Sequence, residues 1–211
     1  MEPITLALLA VGASVTYIIK VAIKNYNTAQ QLRDIINKHT NYIDATYEPH
    51  GNDLQMAAAC TESLNRNFKG EDILSCWNKM SIDERKQKVI TLTKEAASIM
   101  GVEVNNIVFD ESTTRYGSYS PNGTIYFSEP FLACDSQGEI IRTIYHELKH
   151  GTQEKAIQAG TNNPYGYDTP TLVVWVENNL KYENGDQDFL FYYGQQIEVD
   201  ARGFAQSVFQ G

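Results

Sequence analysis

The chain has 211 residues and a net charge of −9, with 17 Lys and Arg against 26 Asp and Glu. That balance argues against a nucleic-acid partner, because phosphate binding needs a basic surface. With 42% hydrophobic and 20% charged residues, the chain can bury the core of one ordinary domain plus an appendage. The cysteines, Cys60, Cys76 and Cys134, are odd in number and match no CxxC zinc spacing. They read as free thiols in a reducing compartment, with a Cys60–Cys76 bridge in an exported protein as the alternative.

Residues 3–19 carry no charge, and Lys20 and Lys24 follow. A run of this length is at the lower limit for a membrane span, and snorkelling lysines extend it to about 20 residues. Only Glu2 precedes it with a charge, so the basic start of a signal peptide is missing. The lysines behind the run put the rest of the chain in the cytoplasm by the positive-inside rule. Residues 1–24 are therefore expected to be a membrane anchor. A buried core helix and the cleaved signal of an exported protein are the alternatives.

Residues 25–80 are expected to be a helical region. It holds a helix and a connector up to residue 52, then a second helix from Asp53 to Asn67. Residues 81–211 form the next domain. Ser81-Ile82-Asp83-Glu84 is a capping box, and the helix it opens stops at Gly101. The period then changes. Asn106–Asp110 reads as a strand, and Arg115–Ser120 and Thr124–Ser128 flank the turn Pro121-Asn122-Gly123 as a hairpin. A helix follows from about Gly138 to Lys155. Residues 160–190 hold a Gly/Asn/Pro/Tyr-rich loop, a short apolar run Leu172–Val176 and an acidic polar loop. A last helix starts near Gly194. The fold class is α+β with a small antiparallel sheet.

The chemistry lies in His146-Glu147-Leu148-Lys149-His150, which holds two of the chain's four histidines. Histidines four apart on a helix project from one face and can reach one tetrahedral zinc. Glu147, beside His146, can accept a proton from a zinc-activated water without being a ligand. Ile140, Ile141, Ile144, Tyr145 and Leu148 form the apolar face that would bury this helix, and both histidines lie largely off it. The metzincin pattern needs a histidine at 156, where this chain has Ala156. An aspartate-ligand pattern fails at Gly160-Thr161-Asn162-Asn163. Downstream, Ile197, Ala201, Phe204, Ala205 and Val208 recur at helical spacing and should pack inward, with Glu198 beside that stripe.

His146-Glu147-Leu148-Lys149-His150 followed by Glu198-Val199-Asp200-Ala201-Arg202-Gly203-Phe204-Ala205 resembles the gluzincins, the metallopeptidases that add a helical glutamate to HExxH. The likeness covers roughly residues 82–211. It implies a zincin-like catalytic domain with Zn2+ held by His146, His150 and Glu198; Asp200 is the runner-up ligand. Many gluzincins carry an acid at the place of Arg202 that orients a zinc histidine, so Asp200, Glu177 or a backbone carbonyl would have to serve here. In zincin folds an edge strand pairs with extended substrate. Arg115–Ser120 resembles that edge, with Tyr116, Gly117, Ser118 and Tyr119 as substrate-binding residues. Tyr192 or Tyr193 is a candidate oxyanion donor. The implied function is zinc-dependent hydrolysis of a peptide or protein substrate, with Glu147 as general base. Two alternatives remain: a zinc-stabilised structural or binding module, and a peptidase toxin or effector with one target.

Overall fold

Capping side chains start several of the helices. The computed structural model describes residues 47–180 and 189–210. The apolar run at 3–24, the helix expected after it and most of the acidic loop before 189 lie outside the described residues. By contacts the described chain divides into two compact units. One holds residues 53–152 and 201–210; the other holds 47–52, 153–180 and 189–200.

In the first unit, helix α1 spans Asp53–Asn67. Asp72 caps the short helix α2, Ile73–Trp77, by accepting from Ser75 N–H. Helix α3, Ile82–Met100, opens on the Ser81/Glu84 capping box and ends at Gly101, whose φ of 63° is the left-handed stop that glycine makes without strain. Strands β1 (Asn106–Asp110), β2 (Gly117–Ser120) and β3 (Thr124–Ser128) follow. Ser128 then caps α4, Glu129–Cys134, which has a proline in its first turn.

The strand order is β1-β3-β2, with β2 antiparallel and β1 parallel to β3. The sheet is therefore mixed, not antiparallel as the sequence suggested. The segment after β1 carries the chain past the neighbouring position, and the hairpin brings β3 back into the centre. β2 starts at Gly117 because Arg115 is drawn off to Asp110, at 2.6 Å.

Helix α5, Glu139–Ala159, is the longest described element. Its first turn is held by Asp135, whose carboxylate accepts from the N–H groups of Gln137, Glu139 and Ile140, each at 3.1 Å. The buried Trp77 indole donates to the Asp135 carbonyl at 3.1 Å and fixes the capping residue. Ile140, Ile141, Ile144, Tyr145 and Leu148 are all buried, as their spacing predicts. The last described helix, α8 (Gln196–Gln210), joins this unit from Ala201 onward. There Thr61 on α1 donates to the Val208 carbonyl at 3.0 Å. Ala201, Phe204, Ala205 and Val208 are buried as expected.

The second unit takes the end of α5 from Gln153 and a single 3-10 turn at Gly160–Asn162. It continues with α6 (Thr169–Leu180), α7 (Phe189–Gly194) and the first turn of α8. Asn163 folds the loop between the 3-10 turn and α6. Its amide donates to the Tyr167 carbonyl, and its oxygen accepts from the N–H groups of Tyr165 and Tyr167. Leu172–Val176 sits within helix α6, not within the loop. Asp168 accepts from Thr171 N–H at 2.9 Å and Pro170 lies in the first turn, a helix-start signature present in the sequence.

Among the described residues all three cysteines are free. Burial pushes the Cys60 thiol up to about 12. No helix among them is long and apolar enough to cross a membrane.

Asp135 holds two N–H groups, of Glu139 and Ile140, that the first turn of α5 cannot bond internally, and that of Gln137 just before it. Asp135→Ala should therefore lower stability by about 1–2 kcal/mol. Urea unfolding checks this through a lower midpoint at unchanged slope; an unmoved midpoint would show that water replaces the cap without loss.

Candidate metal centre

The side chains that matter are distributed around α5 and on the facing turn of α8. On α5 the apolar stripe faces the core, and Thr143, Glu147 and Gly151 form a second stripe one turn apart. Both ends of this second stripe meet the strand β2 or its side chains. A Cβ on Gly117 would come within 2.7 Å of the Thr143 methyl and 2.8 Å of the Tyr126 carbonyl, so β2 lies against α5 at a spacing only glycine allows. A Cβ on Gly151 would meet Val102 at 2.6 Å and the Tyr119 ring at 3.3 Å.

Glu147 lies between these two contacts and is 8% exposed. Its Oε2 accepts from the backbone N–H of Tyr119 at 2.8 Å, and its Oε1 stands 4.0 Å from Nε2 of His146. The carboxylate is thus held against the histidine pair without belonging to it. The two imidazoles converge through Nε2 at 3.1 Å, with their rings edge-on. Two nitrogens bound to one tetrahedral zinc at its usual bond length stand about 3.3 Å apart, so this separation fits joint ligation.

Each unit on its own sets α8 beside α5. In one, the Lys149 ammonium lies 5.4 Å from the centre of the Phe204 ring. In the other, the Gln153 amide donates to the Ile197 carbonyl at 2.9 Å. Glu198, the third residue of α8, is 1% exposed. His146, His150 and Glu198 each offer a ligand atom within 4.8 Å of the others. Among the described residues this is the only group of three or more His, Cys, Asp or Glu so placed. Two nitrogens and one carboxylate are a donor set suited to zinc.

Asp200, the runner-up ligand, is not in the group. Two residues along a helix is a turn of about 200°, so Asp200 faces away from Glu198. It is fully buried and accepts from Trp175 Nε1 and from Gln196 Nε2, each at 2.7 Å.

The four residues expected on the substrate edge divide by register. Ser128 N–H donates to the Tyr116 carbonyl at 2.9 Å. Tyr116 and Ser118 therefore direct their backbone groups at β3, and Gly117 and Tyr119 direct theirs outward. β2 is the edge strand that the sequence suggested, and its outward side meets α5, where Tyr119 is engaged by Glu147. The Tyr116 ring stacks on Phe131 at 4.5 Å. Tyr193, on α7, is half exposed.

Sequence reasoning missed two partners. One is the Tyr119 N–H on Glu147, which no residue type announces. The other is Asp53, which bonds Lys149 at 2.6 Å with both side chains fully buried. Lys149 falls in the helical stripe Ile141–Tyr145–Lys149, and a lysine on a buried stripe requires a buried acid. That signal is readable. Comparison with protein-family models, with curated proteins and with solved structures finds no match to this chain.

Removing one member of a buried ion pair leaves the other charge without compensation, at a cost of about 3–5 kcal/mol. Asp53→Asn and Lys149→Met should each destabilise strongly. The double variant should be less destabilised than the two effects added together. Urea unfolding of the four proteins tests this, and strictly additive losses would mean the pair is not coupled.

Proposed function

We propose that this chain is a zinc-dependent metallopeptidase with a gluzincin-like ligand set. In this reading His146, His150 and Glu198 hold the metal and Glu147 is the general base. The observation that carries it is the setting of Glu147: a carboxylate with one oxygen 4.0 Å from Nε2 of His146 and the other bonded by the backbone N–H of Tyr119. A structural zinc site closes its coordination with four protein groups, and it has no need of such a carboxylate. Here three converge among the described residues, and the acid beside them is left for other work.

A bound zinc would supply Lewis acidity to the scissile carbonyl and an activated water. The protein's own contribution is positional. Glu147 Oε1, 4.0 Å from Nε2 of His146, would serve as the proton acceptor toward an attacking water and as the proton donor to the leaving amine. Oε2 is occupied by Tyr119 N–H, which fixes the carboxylate's orientation. Burial of Glu147 at 8% exposure excludes most competing water. Extended peptide is the favoured substrate class, laid along β2 at the edge of the sheet. The zincin-like fold and a membrane anchor over residues 3–24 belong to the same proposal. They rest on the motif pair and on the uncharged run.

The decisive experiment is metal analysis of purified protein beside peptide cleavage. Wild type should hold close to one zinc per chain. Glu198→Ala should lose most of it. Glu147→Gln retains a carbonyl oxygen for Tyr119 N–H, so it should keep the zinc while cleavage falls by about 100-fold or more. Loss of zinc from Glu147→Gln would make Glu147 a ligand; full zinc in Glu198→Ala would remove Glu198 from the set.

A further inference from the structure

We propose that Trp175 and Asp200 are positioning residues for Glu198, so that helix α6 tunes the affinity of the metal centre through the aim of that one ligand. The proposal rests on the ligand set proposed above and concerns how one of its members is aimed.

A glutamate on the first turn of a helix is poorly placed by its own helix, because that turn lacks internal partners for its N–H groups and frays. Glu198 is such a residue, the third of α8. The first turn of α8 is instead held from α6. Ile197 N–H donates to Asn178 Oδ1 at 2.9 Å, and Asn178 is 2% exposed. One turn deeper, the two oxygens of Asp200 are divided between the Trp175 indole and the Gln196 amide, both at 2.7 Å. The indole is in turn held edge-on by Tyr167 at 4.7 Å, and its own exposure is nil.

These bonds fix both the height and the roll of the turn. Height comes from Asn178 at the helix start. Roll comes from the bond between Asp200 and the Trp175 indole, because turning α8 would break a charge-assisted bond in a dry site, while the Gln196 bond, made within α8, holds the carboxylate in the orientation that receives the indole. Asp200 and Glu198 lie on opposite faces of α8, so locking one toward α6 aims the other away from it. Glu198 has several rotatable bonds, and a fixed backbone removes much of the ordering that metal binding would otherwise require.

The chemistry distinguishes aiming from mere packing. Trp175→Phe keeps an aromatic ring and removes the N–H on Asp200. Asp200→Ala removes both acceptors. Asp200→Asn can keep both bonds, because the new amide oxygen accepts from the indole while a turned Gln196 amide accepts from the new NH2. Zinc affinity, measured by competition with a chromophoric chelator, should fall by about 10-fold or more in Trp175→Phe and Asp200→Ala. It should stay near wild type in Asp200→Asn. The visible spectrum of the cobalt(II)-loaded protein, which reports ligand geometry, should change in the first two and not in the third.

Zinc affinity and cobalt spectrum unchanged in both Trp175→Phe and Asp200→Ala would overturn the proposal and leave α6 a role in folding alone. So would an Asp200→Asn affinity as low as that of Asp200→Ala. If circular dichroism shows either variant unfolded, Asp200→Leu takes its place. It removes both acceptors, the one that receives the indole included, while keeping the buried volume filled, and the same two measurements then support or overturn the proposal. Failure of the underlying ligand set looks different: wild type would bind no zinc, or Glu198→Ala would bind it as wild type does.

Discussion

The buried pair of Lys149 and Asp53 constrains the roll of α5, and most of the site follows from that roll. Successive residues on a helix are about 100° apart. With Lys149 committed to Asp53, His150 and His146 must point off the core to one side and Glu147 to another. Turning the helix enough to bury a histidine would pull the ammonium from its partner in a place where neither is solvated. Asp53 is a suitable anchor because it opens α1, where the helix dipole favours negative charge. The Phe204 ring face beside Lys149 adds a second attraction and brings α8 into the same arrangement. A buried ion pair adds little net stability compared with an apolar pair. Its use here is directional.

Height along the axis of α5 is set separately, by Asp135 and Trp77 at the start of the helix. The division of labour recurs on α8, where Asn178 sets height and Asp200 sets roll. Each helix is thus held in both respects by bonds within one unit. That matters for the proposed activity, because a ligand set misplaced by about 1 Å loses much of its effect.

Much of this was legible in the sequence, and the boundary between legible and hidden is physical. Ser81 with Glu84, Gly101, and Asn122-Gly123 each bond or bend the chain within a few residues, so their consequences are local and the elements fall where the sequence puts them. The buried stripes of α5 and α8 were likewise readable from period alone. The parallel pairing of β1 with β3 was not, since it depends on which slot the chain passes over after Asp110. Helix α6 could have been read: Asp168, Thr169 and Pro170 mark its start, and the apolar run behind them obscured it. At the site, the histidine spacing is a local fact and was visible. The proposed choice of Glu198 over Asp200 was suggested by the motif, whereas the partner that occupies Asp200 is Trp175 on another helix, which spacing within α8 does not reveal.

The bond from Tyr119 N–H to Glu147 joins two functions that the sequence presents as separate. An edge strand that receives an extended peptide offers backbone groups on alternate residues. On β2 the outward residues are Gly117 and Tyr119, and the second of these already holds the proposed base. Any peptide seated on this edge therefore lies along the same strand that orients the carboxylate. Gly117 keeps the strand close to α5, since a side chain there would strike Thr143, one turn before Glu147. The distance from strand to helix thus fixes both where a substrate backbone can lie and where the proton acceptor points. Hydrolysis needs those two positions to agree within a fraction of an ångström, and a single rigid contact between β2 and α5 satisfies both at once.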